Sequence, residues 1–127
     1  MITVDTSALM AILQSEPQVS ACKASIAAAD RVLISAGTLA EALIVTARRG
    51  MSKGMAELID DLIFEIIDVT PETARRIGNI YTQWGKGMHP AGLNFGDCFA
   101  YDVAKEHGCP LLYVGKDFAR TDIESAL

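Results

Sequence analysis

Short apolar runs alternate with longer stretches of helical periodicity along almost the whole chain. The apolar runs are rich in β-branched residues, which favours strands, and the longer stretches repeat apolar residues every three or four positions, which indicates helices. Gly50 and Gly108 suit left-handed C-terminal caps, and Thr70 followed by Pro71 suits a helix start. The predicted strands cover residues 2–4, 31–35, 64–69 and 110–114, and the predicted helices cover residues 7–13, about 17–29 with Pro17 in the first turn, 38–49, 52–62, 71–84 and 95–107.

This alternation predicts an α/β fold. Strands separated by helices imply right-handed crossovers and a mainly parallel sheet with helices on both faces. The stretch 85–94 contains three glycines and a proline, so we expect a loop there. Because the chain has no repeat, no low-complexity segment and no linker, residues 1–127 are expected to form a single domain.

Composition narrows the class of protein further. Half of the 127 residues are hydrophobic, which is enough for one sizeable core. No apolar run approaches membrane-spanning length, and no basic stretch precedes an apolar one, so neither a span nor a secretory signal is expected. Cys22, Cys98 and Cys109 lack C-x-x-C spacing, which favours reduced thiols in the cytoplasm and no zinc site. The net charge of −5 argues against a broadly basic nucleic-acid surface but allows a local basic rim.

Acidic residues fall close after several predicted strands. Asp5 follows the first strand, Glu41 lies in the first turn of the helix after the second, and Asp117 comes just after the last. The carboxyl ends of parallel strands share one edge of a sheet, where ligands bind. Asp97 sits among apolar residues in LNFGDCFAYDVA (93–104) and joins this edge if its helix starts there. A buried carboxylate is costly unless it is paired, hydrogen-bonded or metal-bound.

Each of these acids also has a purely local explanation. Glu41 in TLAE (38–41) and Asp97 in NFGD (94–97) fit capping boxes, Asp5 fits an N-cap, and Asp117 fits a turn. Asp102 lies about 140° around its helix from Asp97, so it is not expected to share a site with it.

Convergence of four acids would favour a hard metal ion. Crowded carboxylates repel one another, and all-oxygen ligands select Mg²⁺ or Mn²⁺ over zinc. Sequence signatures of a nucleophilic triad, a Walker loop or a zinc protease are missing, and a metal site without a nucleophile suits phosphoryl chemistry. Trp84 fits either a core edge, which we favour, or a base-stacking platform. The cations near the acids in sequence are candidates for holding a polyanionic backbone, or else ordinary surface charges: Lys86, His89, Lys116 and Arg120.

Several segments resemble the PIN domain of VapC-type toxins, in that family's order. They are VDTSAL (4–9), TLAEALIV (38–45), GKGMHPAGLNFGDCFAYDVAK (85–105) and PLLYVGKDFARTDI (110–123). The resemblance implies a three-layer α/β/α sandwich and a Mg²⁺-dependent ribonuclease, the toxin of a toxin–antitoxin pair. It also implies a homodimer and a small VapB-like antitoxin. We expect that antitoxin to block the acids with a cationic side chain, preferably Arg.

The resemblance also implies roles for individual residues. The family's acidic site falls on Asp5, Glu41, Asp97 and Asp117, with the supporting hydroxyl on Thr6 or Ser7. Asp122 matches close relatives, and we expect it to cap a final turn rather than assist the metal. Gly115 and Lys116 depart from the family pattern after the last strand, which weakens the prediction of a second metal position.

Two other classes of protein remain open from the residues alone. A phosphoacceptor receiver domain has similar length and an acidic Mg²⁺ pocket, with Asp68 and Lys116 in the key roles. Receivers, however, require an acidic pair after the first strand, where VDTS (4–7) has one aspartate. A non-catalytic module with a degenerate site is disfavoured because all four acids are present.

Overall fold

The centre of the molecule is a four-stranded sheet whose strands are all parallel. The computed structural model describes residues 1–127, and its strands lie in the order β3-β2-β1-β4. Ile2 pairs with Val32 on one side of β1, and Val4 pairs with Leu112 on the other. The strands are β1 (Ile2–Val4), β2 (Val32–Ser35), β3 (Glu65–Ile67) and β4 (Leu111–Leu112).

Six α-helices cover both faces of this sheet, as the α/β prediction requires. None of them is long and apolar enough to cross a membrane. The helices are α1 (Thr6–Leu13), α2 (Val19–Ala28), α3 (Ala36–Arg48), α4 (Ser52–Leu62), α5 (Pro71–Trp84) and α6 (Phe95–His107), and a 3₁₀ turn, η1, covers Phe118–Arg120.

Alternate residues of the strands are buried in two different hydrophobic cores, one on each face of the sheet. On one face, Val4, Ile34 and Leu112 pack with residues of α1, α2, α3 and α4. On the other face, Leu111 packs with residues of α5 and α6. The side-chain alternation of each strand therefore divides its residues between two helix layers, which gives the predicted three-layer arrangement.

Several boundaries differ from the sequence prediction. Strand β4 covers two residues rather than five, because its only strand partner, β1, is itself three residues long. Helix α2 begins at Val19, after Pro17 rather than around it. Helix α3 begins at Ala36, because the Ser35 side chain accepts a hydrogen bond from the Gly37 amide and caps the helix two residues early.

The early start of α3 makes the capping-box interpretation of TLAE wrong. Thr38 lies inside the helix and is fully buried, so Glu41 belongs to the second turn rather than the first. The corresponding interpretation of NFGD is correct. Asn94 Oδ1 accepts from the Asp97 amide at 2.8 Å, and Asp97 Oδ2 accepts from the Asn94 amide at 2.9 Å. Asp97 therefore caps α6, whatever else it does.

One acid near the chain end, Asp122, belongs to the packing rather than to the acidic edge. Contrary to the prediction, Asp122 does not cap a turn. It does not lie among the site residues either. It accepts hydrogen bonds from the Tyr101 hydroxyl at 2.6 Å and from Lys105 Nζ at 2.9 Å.

Trp84 packs at the edge of the second core and donates its indole N–H to Tyr101, which confirms the core interpretation.

Asp102 lies away from Asp97, as expected, and it is buried. Its side chain is 4% exposed and accepts two hydrogen bonds from Arg76, at 2.6 and 3.1 Å. Asp102→Ala is expected to lower the free energy of unfolding by about 1–3 kcal/mol, because Arg76 loses a two-point charged partner. Urea unfolding measures this. Glu106→Gln, at the half-exposed second partner of Arg76, is the control, and equal stabilities of both variants would contradict the assignment.

Candidate active site

Three of the four predicted acids line one cavity at the carboxyl edge of the sheet. The cavity has a volume of about 390 Å³ and contains Asp5, Glu41 and Asp97 in its wall, together with Val114 just beyond β4. Helix α6 therefore starts at the same edge as the ends of β1 and β4, which the sequence had left open. The convergence predicted for these three acids is present.

Asp5 is held in place by its neighbours in sequence while one of its oxygens stays unused. Oδ2 accepts from the Ser7 amide at 3.0 Å and from the Ser7 hydroxyl at 2.6 Å, so Asp5 is also the N-cap of α1. The same Ser7 hydroxyl accepts from the Val114 amide at 3.0 Å, which ties the end of β4 to the start of α1. Oδ1 is buried and has no hydrogen-bond partner.

Glu41 is positioned by a second hydroxyl from α1. The Thr6 hydroxyl donates to Glu41 Oε1 at 2.6 Å. Thr6 and Ser7 therefore support different acids: Thr6 holds Glu41, and Ser7 holds Asp5. The sequence could not distinguish these two supporting roles.

The electrostatics of the cavity disfavour charge on two of its acids. Burial raises the pKa of Asp5 to about 6, opposed by the Ser7 hydrogen bonds, and the nearby Glu41 raises it further. Burial likewise raises the pKa of Asp97 to about 7. Asp5, Glu41 and Asp117 add repulsion, and the Asn94 amide opposes the shift. Both carboxylates lack a compensating cation.

Asp117 lies near this cavity but not in its wall. It is exposed at the start of η1, and its side chain makes no capping hydrogen bond. It is nevertheless close enough to raise the pKa of Asp97. Asp117 therefore lies near the acids without lining the cavity.

The donor set suits a hard divalent cation that keeps part of its water shell. No group of three or more His, Cys, Asp or Glu side chains is assembled to hold a metal. Mg²⁺, however, commonly uses one or two carboxylates, several waters and phosphate oxygens of the substrate. The unpartnered Oδ1 of Asp5 and the carboxylate of Asp97 fit this mode of binding.

The four cations suggested by the sequence do not line the cavity. Lys86 and Lys116 are exposed. Arg120 donates to the Pro90 carbonyl at 3.1 Å. The His89 ring packs edge-on against Trp84, with 4.7 Å between ring centroids, and its Nδ1 accepts from the Ala91 amide.

Sequence reasoning missed several residues at this site, among them Glu16, a further acid in the cavity wall. Arg49 lines the cavity, and its spacing of four from Val45 and eight from Glu41 was a usable signal, because such residues share a helix face. Gly96 was also missed. A Cβ at this position would overlap the Glu41 carboxylate, so only glycine leaves room for Glu41 beside α6.

Gly96→Ala is therefore expected to displace Glu41 and break its bond to Thr6, with little cost in stability because a flexible side chain can move aside. Misplacing a reacting group by about 1 Å can reduce a rate roughly a hundredfold. The rate of any reaction in this cavity that uses Glu41 should therefore fall by about that factor. Gly78→Ala, in open space on α5, is the matched control and should leave activity unchanged. Full activity in Gly96→Ala would argue against a role for Glu41.

The comparisons with known proteins agree with this fold. The family model of the PIN domain matches residues 2–124. Ribonuclease VapC30 of Mycobacterium tuberculosis is 40% identical over 126 residues, which cover 96% of this chain and 95% of that protein. Mycobacterium tuberculosis VapC20, a sarcin-ricin loop cleaving toxin, superposes with a TM-score of 0.78 at 18% identity over 97% of this chain and 96% of its own. A toxin–antitoxin complex from Klebsiella pneumoniae gives 0.71 at 18% identity, over 96% and 93%.

The chain belongs to the PIN-domain family and, within it, to the VapC ribonucleases. The family resemblance and the fold predicted from the sequence are thereby confirmed. The receiver alternative is wrong, because the family differs and the exposed Asp68 does not line the acidic cavity.

Proposed function

We propose that this chain is the toxin of a VapBC-type pair and hydrolyses RNA phosphodiester bonds with Mg²⁺ or Mn²⁺ as cofactor. The observation that carries the metal-dependent chemistry is the buried, unpartnered Oδ1 of Asp5 in a cavity shared with Glu41 and Asp97. VapC relatives named as ribonucleases support RNA as the substrate. We further infer that residues 1–127 act as one PIN domain in the cytoplasm, where the three buried free thiols would stay reduced.

Asp5 and Asp97 are the proposed metal ligands, and Asp117 supports them from the rim. When bound, a divalent ion lowers the pKa of water and stabilises charge on the phosphate. Both carboxylates must be deprotonated to bind it, and neither forms an ion pair with a basic side chain of this chain.

The remaining polar residues orient these groups. Ser7 fixes Asp5 through two hydrogen bonds, which leaves Oδ1 free for the ion. Thr6 fixes Glu41 through Oε1, and Glu41 Oε2 accepts no hydrogen bond. We assign Glu41 to orienting the attacking water. Attack by water on the phosphorus, with departure of the 3′ oxygen, leaves a 5′-phosphate and a 3′-hydroxyl.

The proposed partners are RNA, a VapB-like antitoxin and a second copy of this chain. The toxin–antitoxin complex among the structural neighbours supports the antitoxin. An Arg of the antitoxin would neutralise Asp5 and Asp97, and full inhibition by an antitoxin without Arg or Lys near the site would contradict this. The exposed Ile44 and Phe95, which line one apolar cavity, are among the apolar residues available for a homodimer, which light scattering would detect. Lys86, His89, Lys116 and Arg120 remain candidates for RNA contacts outside the cavity.

The experiment that tests the function is sequencing of RNA ends. Purified, antitoxin-free protein is incubated with cellular RNA, with Mg²⁺ in one arm and a chelator in the other. We expect metal-dependent cleavage that leaves 5′-phosphates. Cyclic phosphates would indicate attack by the RNA's own 2′-hydroxyl and would overturn the mechanism. Cleavage of single-stranded DNA but not RNA would identify a PIN nuclease of different substrate class.

A further inference from the structure

The basic side chains differ sharply in whether they already have an acidic partner. Five of the eleven Lys and Arg residues form ion pairs with carboxylates: Arg31, Lys53, Arg75, Arg76 and Lys105. The other six form none, and of these only Arg49 lines the cavity that contains Asp5, Glu41 and Asp97. A single uncommitted guanidinium therefore lies beside a cavity whose other charged groups are acids.

Arg49 is placed there by the regular geometry of α3. It is the C-cap residue of that helix, and Glu41, Val45 and Arg49 follow one another at intervals of four along one face. Its only side-chain hydrogen bond is a long one, 3.4 Å from Nη1 to Gln14 Oε1. Most of its donors remain available to a ligand.

A second cavity continues from the first in the direction of this arginine. It has a volume of about 410 Å³ and is lined by Val45, Arg48 and Arg49, so Val45 and Arg49 belong to both cavities. Arg48 also has no acidic partner. The surface therefore changes from acidic to basic along α3, from Glu41 to the helix end.

We propose that Arg49, assisted by Arg48, binds a phosphodiester group of the RNA that flanks the one being cleaved. This inference rests on the proposed cleavage of RNA. Eight residues of helix separate Glu41 from Arg49 by about 12 Å along the axis. Arg49 also lines a second cavity with Arg48 that none of the acids lines, which favours a neighbouring phosphate over the one being cleaved. The planar guanidinium binds phosphate oxygens in pairs. The acids alone would repel the RNA chain, and Arg49 offsets that repulsion where the chain leaves the metal site.

Arginines at a helix C-terminus also interact favourably with the helix dipole, and this structural role makes a different prediction. A residue needed only by the helix would change the melting temperature and leave RNA binding unaltered. A phosphate-binding residue would change KM and the salt dependence of KM, with kcat nearly unchanged.

The test compares steady-state cleavage of a single-stranded RNA oligonucleotide by the full chain and its Arg49→Gln variant at several KCl concentrations. We expect KM to rise about tenfold, as for loss of a charged hydrogen bond, with kcat nearly unchanged. The slope of log KM against log salt should become shallower by about 0.7, the value for one phosphate contact on a single strand. Arg49→Lys should recover part of the loss, and Arg48→Gln should show a smaller effect.

Two controls separate a phosphate contact from a general effect of charge. Arg75→Gln removes the same charge from an exposed, weak pair on α5 and should leave KM and the slope unchanged. A dinucleotide substrate, too short to reach Arg49, should be cleaved equally by the wild type and Arg49→Gln.

Unchanged KM and slope in Arg49→Gln, with normal wild-type cleavage, would overturn this inference alone. The same result with a weakened antitoxin complex would instead assign Arg49 to the antitoxin. Absence of cleavage by the wild-type protein would overturn the proposed function and this inference together.

Discussion

Asp97→Asn and Asp5→Asn are each expected to reduce RNA cleavage by about three orders of magnitude or more, equivalent to roughly 4 kcal/mol of activation free energy. Both changes preserve side-chain volume and remove a proposed metal ligand. An Asn at either position can still accept the hydrogen bonds that Asp5 receives from Ser7 and Asp97 receives from Asn94. The helix caps should therefore survive, so that loss of activity is not loss of fold.

Cleavage rates with Mg²⁺ and circular dichroism of the same samples measure both expectations. Asp61→Asn, an exposed aspartate on α4, is the control and should retain full activity. Near-normal cleavage by Asp97→Asn would remove that residue from the catalytic site. An inactive Asp61→Asn would show that the loss reflects general charge rather than the cavity.

The metal-free protein is expected to lose stability as pH rises from 5 to 8. Unfolded carboxyl groups titrate near pH 4, whereas Asp5 and Asp97 have pKa values of about 6 and about 7. The folded protein therefore binds more protons in this range than the unfolded chain, and its unfolding free energy falls until both groups are ionised. For the buried Asp5, a shift of about two units corresponds to about 3 kcal/mol, or roughly 10 °C in melting temperature. The partly exposed Asp97 adds a smaller amount.

Millimolar Mg²⁺ should reverse this loss at pH 8 and have little effect at pH 5, because the ion binds only the deprotonated carboxylates. Thermal melts over a pH series, with Mg²⁺ and with a chelator, measure the effect. Asp97→Asn should melt higher than the wild type at pH 8 without metal and should gain less from Mg²⁺. A melting temperature that is independent of both pH and Mg²⁺ would contradict a shared metal site.

The sequence alone determined the features that depend on neighbouring residues. Periodicity identified all four strands and six helices, because each pattern reflects which side of a local element is buried. The Asn94–Asp97 capping box and the Asp5 N-cap were also readable, since both bonds close within three residues. Placing acids after the strands predicted that Asp5 and Glu41 lie at one edge, because parallel strands end at a common edge, but it left the position of Asp97 open.

Tertiary structure decided the features that depend on distant residues. The N-cap of α3 is Ser35 rather than Thr38, and Thr38 is fully buried inside the helix. Arg76 reaches Asp102 across 26 positions, and Tyr101 reaches Asp122 across 21. Arg49 lines the acidic cavity, whereas Lys86, which is nearer to Asp97 in sequence, does not. Periodicity shows which residues share a helix face, but it does not show which distant charge or hydrogen-bonding group they meet. Those partners are decided only when the helices pack and water is excluded between them.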